Sequence, residues 1–253
     1  MGRKGGSKHL KRLPSPRFWP IHVKEAKWVV KPSPGPHPID ACIPLLIIVR
    51  DILGYAKTGR EARKIVSQGK IRVDGRVRRD YKYPVGLMDV VEIPDLEKTY
   101  RVLPVAGRGL SLIEIPREEA TFKLCRIEGK TTVKGGRIQL NLHDGRTLLI
   151  KVSDPSKPLE DAYKVMDSLK IALPGQDLLS HLRFREGCHV LITGGANMGR
   201  IGRLRGVIEG TATRPPSASI EAEDGEVFQT ITEYTFTIGE EKPEITLPIR
   251  LAA

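Results

Sequence analysis

The sequence predicts an α+β fold that is mainly β and follows a basic N-terminal arm. Helical periodicity is clearest over residues 44–69, and short alternating runs separated by turn residues follow as far as residue 238. Aromatic residues make up only 5% of a chain that is 40% hydrophobic, which suits several small β-rich cores better than one thick core. We expect four segments: a basic extension over 1–42, a helical and hairpin domain over 43–105, a central β-rich domain over 106–175, and a C-terminal β-barrel domain with a tail over 176–253.

The first third of the chain carries all of the excess positive charge. The formal net charge is +12; residues 1–31 hold nine Lys or Arg against one acid, Glu25, and residues 32–83 hold eleven against five. This asymmetry points to a polyanionic partner, usually a nucleic acid, because each neutralised phosphate releases a counterion. A basic surface without a specific partner is the alternative. The candidate contacts of the arm are Lys4, Lys8, Lys11, Arg12 and Arg17.

The arm also contains prolines and isolated aromatic residues. Pro occupies every other position from 32 to 38, which excludes a regular helix or a central strand. The segment has little to bury, so alone it should be extended or disordered and should fold onto RNA. Its aromatic residues, Phe18, Trp19 and Trp28, could stack on bases or pin the arm to the protein, and the apolar run 28–30 favours pinning. The Gly, Lys and Pro content fits an extended arm better than a targeting peptide.

Two helices are predicted after the arm. Pro44 suits a first helical turn, because its missing N–H needs no partner there, and Gly54 can close that helix. Thr58 and Glu61 make a capping box that starts a second helix. Gly69 ends the second helix.

A basic hairpin follows the second helix. Asp74-Gly75 between two short alternating runs predicts its turn, and residues 88–93 predict the next strand. If the apolar positions face the core, the cations share the exposed side, where arginine forks onto phosphate oxygens. Exposed charge is common on any helix, so an ordinary solvated face is the alternative. Few acidic residues lie between these cations, however, and RNA contact is therefore favoured. The candidate residues are Arg60, Arg63, Lys64, Lys70, Arg72, Arg76, Arg78 and Arg79.

Three stretches of this unit, residues 58–66, 69–77 and 86–91, resemble the S-four-type (alpha-L) RNA-binding domain. That family uses its second helix and hairpin to grip folded RNA. The resemblance implies such a role for Arg60, Arg63, Lys64, Lys70 and Arg72. It is specific to RNA binding but not to the ribosome, because several RNA-modifying enzymes carry the domain.

The remainder of the chain predicts two β-rich domains. Regular short strands with turns suggest a small barrel or sandwich, and residues 161–171 predict either a helix or two strands. Over residues 95–175 strands are expected near 101–103, before the central domain begins, and near 111–115, 123–127, 130–133, 137–142 and 147–152 within it. Those of the C-terminal domain are expected near 188–192, 201–208, 219–222, 227–232 and 234–238.

A glycine-rich loop joins the first two C-terminal strands. Residues 187–195, together with Gly199, Ile201, Gly202, Val207 and Ile208, resemble the KOW motif of ribosomal and transcription-elongation proteins, which implies an SH3-like β-barrel. Glycine permits tight turns and a close approach of the backbone to RNA, although these glycines could only shape a β-turn. The structural glycines are Gly194, Gly195, Gly199 and Gly202, and the candidate RNA contacts are Asn197, Arg200 and Arg203.

The order of basic arm, S-four-type domain, β-rich middle and KOW motif resembles the archaeal and eukaryotic family of small-subunit ribosomal protein four. Residues 8–13, 35–37, 83–90 and 193–202 are especially similar. The chain ends soon after Leu247 without the longer tail of eukaryotic members, which implies an archaeal-type protein. The family implies a structural role in the cytoplasmic small ribosomal subunit. Its partners would be small-subunit ribosomal RNA and neighbouring small-subunit proteins, with no cofactor, metal, small-molecule substrate or membrane.

Enzymatic function is not indicated. The six histidines form no metal-ligand pattern with the three cysteines, no nucleophile elbow is present, and the glycine-rich loop lacks the ending of a phosphate-binding loop. Lone cysteines suggest a reducing compartment, and no apolar run reaches the ~18 residues of a membrane span.

The rival class is a pseudouridine synthase with an S-four-type domain. Such enzymes resemble one another around a Gly-Arg-Leu-Asp run that holds the catalytic Asp. Here Arg205 follows Gly202-Arg203-Leu204, so that Asp is missing from the run. A free RNA chaperone or elongation factor is a further alternative.

Overall fold

The computed structural model describes residues 6–152, 161–222 and 224–247. Within these residues the chain is mainly β, with three five-stranded sheets, two two-stranded sheets and few helices, as the sequence predicts. No helix in the described ranges is long and apolar enough to cross a membrane.

The arm is folded against the rest of the protein over its described part. Its two short strands, β1 (Leu10–Lys11) and β2 (Trp28–Val29), pair antiparallel. Trp19 is 1% exposed, and its indole N–H donates to the Cys42 carbonyl at 2.7 Å. Trp28 is 54% exposed, but Val29 and Val30 beside it are half-buried and pack against the main apolar core. The arm is therefore pinned by Trp19 and by these two valines of the predicted apolar run, while the Trp28 ring itself stays half exposed.

The helices and hairpin follow the arm. The prediction of a first helix is confirmed, but Pro44 precedes it with extended backbone, as the last residue of a strand, so the predicted place of Pro44 inside the first turn is wrong. The helix widens into a π-helical turn in which the N–H of Leu53 donates to the carbonyl of Ile48, five residues back. The elements are β3 (Cys42–Pro44), α1 (Leu45–Ile47), the π-turn (Ile48–Ile52), α2 (Gly59–Ser67), β4 (Arg72–Val73), β5 (Arg76–Val77), β6 (Pro84–Gly86), β7 (Val90–Ile93), β8 (Lys98–Val105) and β9 (Gly109–Glu114).

Strands β5-β4-β7-β8-β9 form one antiparallel sheet in that order, and β3 pairs with β6. The sheet therefore continues to Glu114, past the division expected at residue 105. Short 3-10 turns lie at Ile39–Ala41, Pro94–Leu96, Arg117–Thr121 and Thr232–Tyr234.

The middle sheet has the order β12-β11-β10-β13-β14. Its strands are β10 (Phe122–Val133), β11 (Arg137–Leu142), β12 (Thr147–Ile150), β13 (Ser168–Ala172) and β14 (Leu178–Leu182). The two strands predicted over 123–127 and 130–133 are one long strand, whose pairing shifts register between Ile127 and Gly129. Residues 161–171, for which the sequence allowed a helix or two strands, contain the start of one strand, which begins at Ser168.

The C-terminal sheet has the order β18-β17-β16-β15-β19, with every pair antiparallel. Its strands are β15 (His189–Ile192), β16 (Ile201–Ile208), β17 (Ser217–Ala222), β18 (Val227–Ile231) and β19 (Thr235–Gly239). One buried cluster joins it to the other two sheets, because Met88 and Leu103 pack there with Leu124, Leu191 and Phe236. The three sheets thus share core side chains, which fixes the surfaces described below relative to one another.

Candidate nucleic-acid interface

Helix α2 presents its basic residues to solvent. Thr58 Oγ1 accepts from the Glu61 N–H at 3.3 Å, and the Glu61 carboxylate accepts from the Thr58 N–H at 3.2 Å, so the predicted capping box is present. Ala62 and Val66 are buried, which turns the opposite face outward. That face carries the exposed residues Arg60, Arg63 and Lys64.

The hairpin lies beside this helix. Asp74 and Gly75 have φ values of 52° and 72°, which the two central positions of a type I′ turn require. Around the turn, Arg72, Arg76 and Arg79 are exposed, and Arg78 is half-buried with its guanidinium 4.3 Å from the centre of the Tyr83 ring. The Lys70 ammonium is already paired with Asp95 at 2.9 Å, although both side chains remain about half exposed.

The arm contributes cations of two kinds. Lys8, Lys11 and Arg17 are exposed. Arg12 instead turns inward: its Nε and Nη2 donate to the Ile21 carbonyl at 3.0 and 2.8 Å, and its Nη1 donates to Ser15 Oγ. Arg12 therefore stabilises the bend of the arm. Lys4 lies outside the described residues.

A groove separates the arm from α2, which we call the arm groove. Its volume is about 310 Å³, and the residues that line it include Lys8, Lys31, Arg63, Trp28 and Tyr81. The Arg63 guanidinium lies 4.6 Å from the centre of the Tyr81 ring, a cation–π contact that positions the arginine and leaves its N–H donors for an external acceptor. The structure thus brings arm and helix cations, predicted separately, onto one surface.

Trp28 has the exposure that the stacking alternative requires, although the sequence favoured pinning for the aromatic residues of the arm. Its half-exposed ring is flanked by the ammonium groups of Lys27 and Lys11, 5.5 and 5.9 Å from the ring centre, and by the His9 ring. An aromatic face among cations is the arrangement on which nucleic-acid bases stack. The signal in the sequence was an aromatic residue between Lys27 and Lys31, which the neighbouring valines obscured.

The glycine-rich loop, residues 193–200, packs against the first sheet. Gly199 has φ of +82°, and a Cβ there would lie 2.6 Å from the Ala106 amide nitrogen. A Cβ on Gly194 would meet the Tyr234 ring at 2.9 Å, one on Gly202 would meet the Glu221 carbonyl oxygen at 2.4 Å, and Gly195 has φ of +77°. Each of the four glycines therefore has a structural reason to lack a side chain.

The polar residues of the loop are partly engaged within the protein. Arg200 pairs with Glu226 and lies 5.0 Å from the Phe228 ring centre, and its Nη1 donates a long hydrogen bond to Asn197 Oδ1 at 3.4 Å. Arg203 is exposed on β16. Among these three, Arg203 is the side chain most open to an external partner.

A buried ionic cluster lies behind the hairpin. The Lys123 ammonium is 1% exposed and contacts the carboxylates of Asp74 (3.1 Å), Asp144 (3.0 Å) and Asp89. Burial opposes ionisation of Asp144, but the groups around the carboxylate, with the Lys123 charge first among them and Arg146 beside it, together outweigh burial and lower the pKa of that carboxyl to about 2. Arg146 adds a second cation, bridging Asp74 at 2.6 Å and Asp144 at 3.0 Å. The cluster ties the hairpin turn to the middle sheet, so it orients the hairpin cations.

Cys125, His143 and Asp144 place donor atoms within 4.8 Å of one another, a spacing that could hold a metal. Each donor already has a partner in the protein: Cys125 Sγ lies 3.5 Å from Asp144 Oδ2, and Lys123 neutralises that carboxylate. His143 Nδ1 accepts from the Arg126 N–H, and its Nε2 contacts the Leu87 carbonyl, both at 3.2 Å. An ammonium at the ligand position is unfavourable for a cation, so these residues form a satisfied polar core.

Three family models match the chain. Residues 4–40 match the RS4NT (NUC023) domain, residues 44–91 match the S4 domain, and residues 96–178 match ribosomal family S4e. The S-four-type resemblance of the helix and hairpin unit is thereby confirmed.

Similar proteins cover nearly the whole chain. It is 60% identical to small ribosomal subunit protein eS4 of Staphylothermus marinus over 98% of both chains. It is 52% identical to the protein of the same name from Aeropyrum pernix, again over 98% of both chains. Among solved structures, the 30S ribosomal protein S4e from Thermoplasma acidophilum superimposes with a TM-score of 0.66 at 32% identity, covering 79% of this chain and 96% of that one.

Proposed function

The chain belongs to the S4e family of small-subunit ribosomal proteins, and from that premise we propose that it binds ribosomal RNA through a surface made by the arm, α2 and the hairpin. The family consists of structural ribosomal proteins, so the prediction that the chain is not an enzyme is confirmed. Its place is the small ribosomal subunit, and we further propose that this is in the cytoplasm, beside neighbouring small-subunit proteins.

The observation that carries the proposed surface is the arm groove. Its walls come from segments about fifty residues apart, yet Lys8, Lys31 and Arg63 face the same space beside an exposed tryptophan. Within the described lining residues no carboxylate offsets these cations. A phosphate backbone would be attracted to such a groove, and a base could stack at its edge.

The finer architecture is part of the same proposal. We propose that the C-terminal sheet is an SH3-like barrel with a KOW loop, supported by its five antiparallel strands and by the close packing at Gly199. Its RNA contact is assigned chiefly to Arg203. The four-segment division of the chain also remains a proposal, and strands β9 and β14 extend their sheets past the divisions at residues 105 and 175.

The test is the salt dependence of RNA binding after Arg60, Arg63 and Lys64 are changed together to Ala. Each lost phosphate contact removes about one unit from the slope of log affinity against log salt, so we expect the slope to fall by about three. The readout is a titration of small-subunit ribosomal RNA at several salt concentrations. Far-ultraviolet circular dichroism confirms that the variant is folded.

A matched control removes the same charge elsewhere. Three exposed cations of the middle domain lie outside the proposed surface: Arg137 at the start of β11, Lys134 in the turn before it, and Lys151 just after β12. Their triple Ala variant should keep a slope within about one unit of the wild type. Equal slopes for the two triple variants would show that the effect follows net charge alone, and the α2 surface would be rejected.

A further inference from the structure

A second cavity lies between the arm, the middle sheet and the C-terminal sheet, and we call it the junction cavity. Its volume is about 470 Å³, within the size range of pockets that enclose a ligand or a large side chain. Its walls are mainly apolar and aromatic and include Phe18, Leu87, Leu110, Met198, Tyr234 and Phe236. None of the cations assigned to RNA lines it.

The rim of the junction cavity is acidic, in contrast to the net charge of the chain. Asp40, Glu128 and Glu233 line it and are exposed. Among the described residues, neither the Asp40 nor the Glu233 side chain has an ion-pair partner, and Glu128 has only a 3.3 Å contact with Arg126. The rim therefore carries negative charge available to a partner.

The single Lys or Arg side chain among the described residues that line the cavity is directed into the protein. Arg126 is 12% exposed, and its Nη1 donates to the carbonyl oxygens of Glu233 and Thr235. The Arg126 guanidinium is therefore already paired, with two backbone carbonyls and with Glu128, inside the protein. His143, which also lines the cavity, adds no charge, because the N–H of Arg126 donates to His143 Nδ1 and leaves the histidine proton on Nε2, facing the Leu87 carbonyl.

We propose that the junction cavity receives a basic peptide segment of a neighbouring small-subunit protein. One aromatic or long aliphatic side chain of that segment enters between Phe18 and Tyr234, and Lys or Arg residues on either side face Asp40 and Glu233. Aromatic anchors in pockets dominate protein interfaces, and opposite charges at the rim select the partner and speed its association. RNA is disfavoured there, because its phosphates would approach three carboxylates.

This inference rests on the proposed place of the chain in the small subunit. Its test uses assembled subunits in which Pro38, exposed at the cavity rim, is replaced by the photocrosslinking residue benzoylphenylalanine. A second preparation carries the same residue in place of Trp28 in the arm groove. After irradiation, the crosslinked species are identified by mass spectrometry.

We expect the Pro38 probe to capture a basic protein segment and the Trp28 probe to capture ribosomal RNA. The double variant Asp40→Asn and Glu233→Gln removes two rim charges from exposed positions, and it should lower the yield at Pro38 by about fivefold while the yield at Trp28 is unchanged. Capture of RNA, of this chain itself or of nothing at Pro38 would overturn the inference. So would a protein crosslink that the double variant leaves intact. Loss of the RNA crosslink at Trp28 would count separately, against the proposed RNA surface.

Discussion

The two tryptophans of the arm have opposite surroundings, and their surroundings assign them different roles. Trp19 is enclosed and its N–H is satisfied by Cys42, whereas Trp28 presents half of its ring to solvent among three cationic or imidazole groups. A half-exposed ring adds less to folding than an enclosed one, because it removes less apolar surface from water. Its position instead suits contact with RNA.

At Trp28 we predict a loss of affinity without a loss of stability. Trp28→Ala should weaken RNA binding roughly tenfold, since stacking of a base on an aromatic ring is worth about 1–3 kcal/mol. The free energy of unfolding should change by less than about 0.5 kcal/mol. Filter binding and urea denaturation measure the two quantities.

Two variants control for the Trp28 result. Trp28→Phe keeps a stacking face and should retain most of the affinity. Leu13→Ala changes an arm residue that is 87% exposed but has no ring, and it should bind as the wild type does. A tenfold loss of RNA affinity in Leu13→Ala would mean that any truncation in the arm weakens binding, and the stacking role of Trp28 would be rejected.

His143 makes the stability of the folded protein depend on pH. Burial and the Lys123 charge lower the pKa of His143 from its ordinary value of 6.5 to about 3. Between those values the unfolded chain binds a proton that the folded chain does not, so the free energy of unfolding rises with pH across this window. We predict that it falls as the pH is lowered from 6.5 toward 3, with this group contributing at most about 1.4 kcal/mol per pH unit.

The variant His143→Gln isolates that contribution. Glutamine offers an acceptor and a donor but no titration, so its unfolding free energy should decline less steeply over the same window. His22→Gln, at an exposed position of the arm, is the matched control and should keep the wild-type profile. Parallel profiles for the wild type and His143→Gln, from urea denaturation at a series of pH values, would exclude the histidine as the source.

The charged core around Lys123 shows why sequence alone could not predict this part of the protein. Lys123 lies 34 residues from Asp89 and 49 from Asp74. In the sequence each is an ordinary charged residue of a strand or a turn. Only the packing of the middle sheet against the hairpin brings them together, and no local pattern encodes that approach.

At the scale of elements, local signals were reliable where a short motif determines the backbone. The capping box at Thr58 and the turn at Asp74-Gly75 are both present as predicted, because each is decided by hydrogen bonds or φ values within four residues. Pro44 shows where such local signals are not sufficient. Its fixed φ is compatible with a helix and with a strand, and pairing of β3 with β6 decides for the strand.

The glycine-rich loop allows a prediction about docking between elements. Gly199 and Gly107 both have positive φ, +82° and +71°, but a Cβ on Gly199 would meet the Val105–Ala106 backbone, whereas one on Gly107 would meet nothing within 4 Å. Gly107→Ala should therefore cost about 1 kcal/mol of stability from backbone strain alone. Gly199→Ala should cost about 1–3 kcal/mol more, because the loop must also move away from the turn after β8.

Urea denaturation of the two variants measures the difference directly. The shared strain cancels between them, so the remainder reports the contact of the loop with the first sheet. Equal losses would mean that the loop can separate from the turn at no cost, and the close packing at Gly199 would not be needed for the fold.

At the scale of the whole molecule, the distribution of charge determines how the chain should associate with its subunit. The net charge of +12 is concentrated in the first 83 residues, which contain the arm, α2 and the hairpin. Shared core residues hold the three sheets together, so these cations act on RNA from fixed positions. Contacts made together strengthen one another, because the first contact raises the effective concentration of the rest.

We therefore predict that the chain sediments with the small subunit in sucrose gradients of native lysate, at moderate salt and at salt that strips loosely bound factors. The triple variant Arg60→Ala, Arg63→Ala and Lys64→Ala should leave the subunit at lower salt, since it has fewer phosphate contacts to resist competing ions. The control triple variant at Lys134, Arg137 and Lys151 should remain bound with the wild type. Wild-type protein found at the top of the gradient would contradict a structural role and favour a free RNA chaperone, whereas release of both triple variants together would favour attraction by net charge over a specific surface.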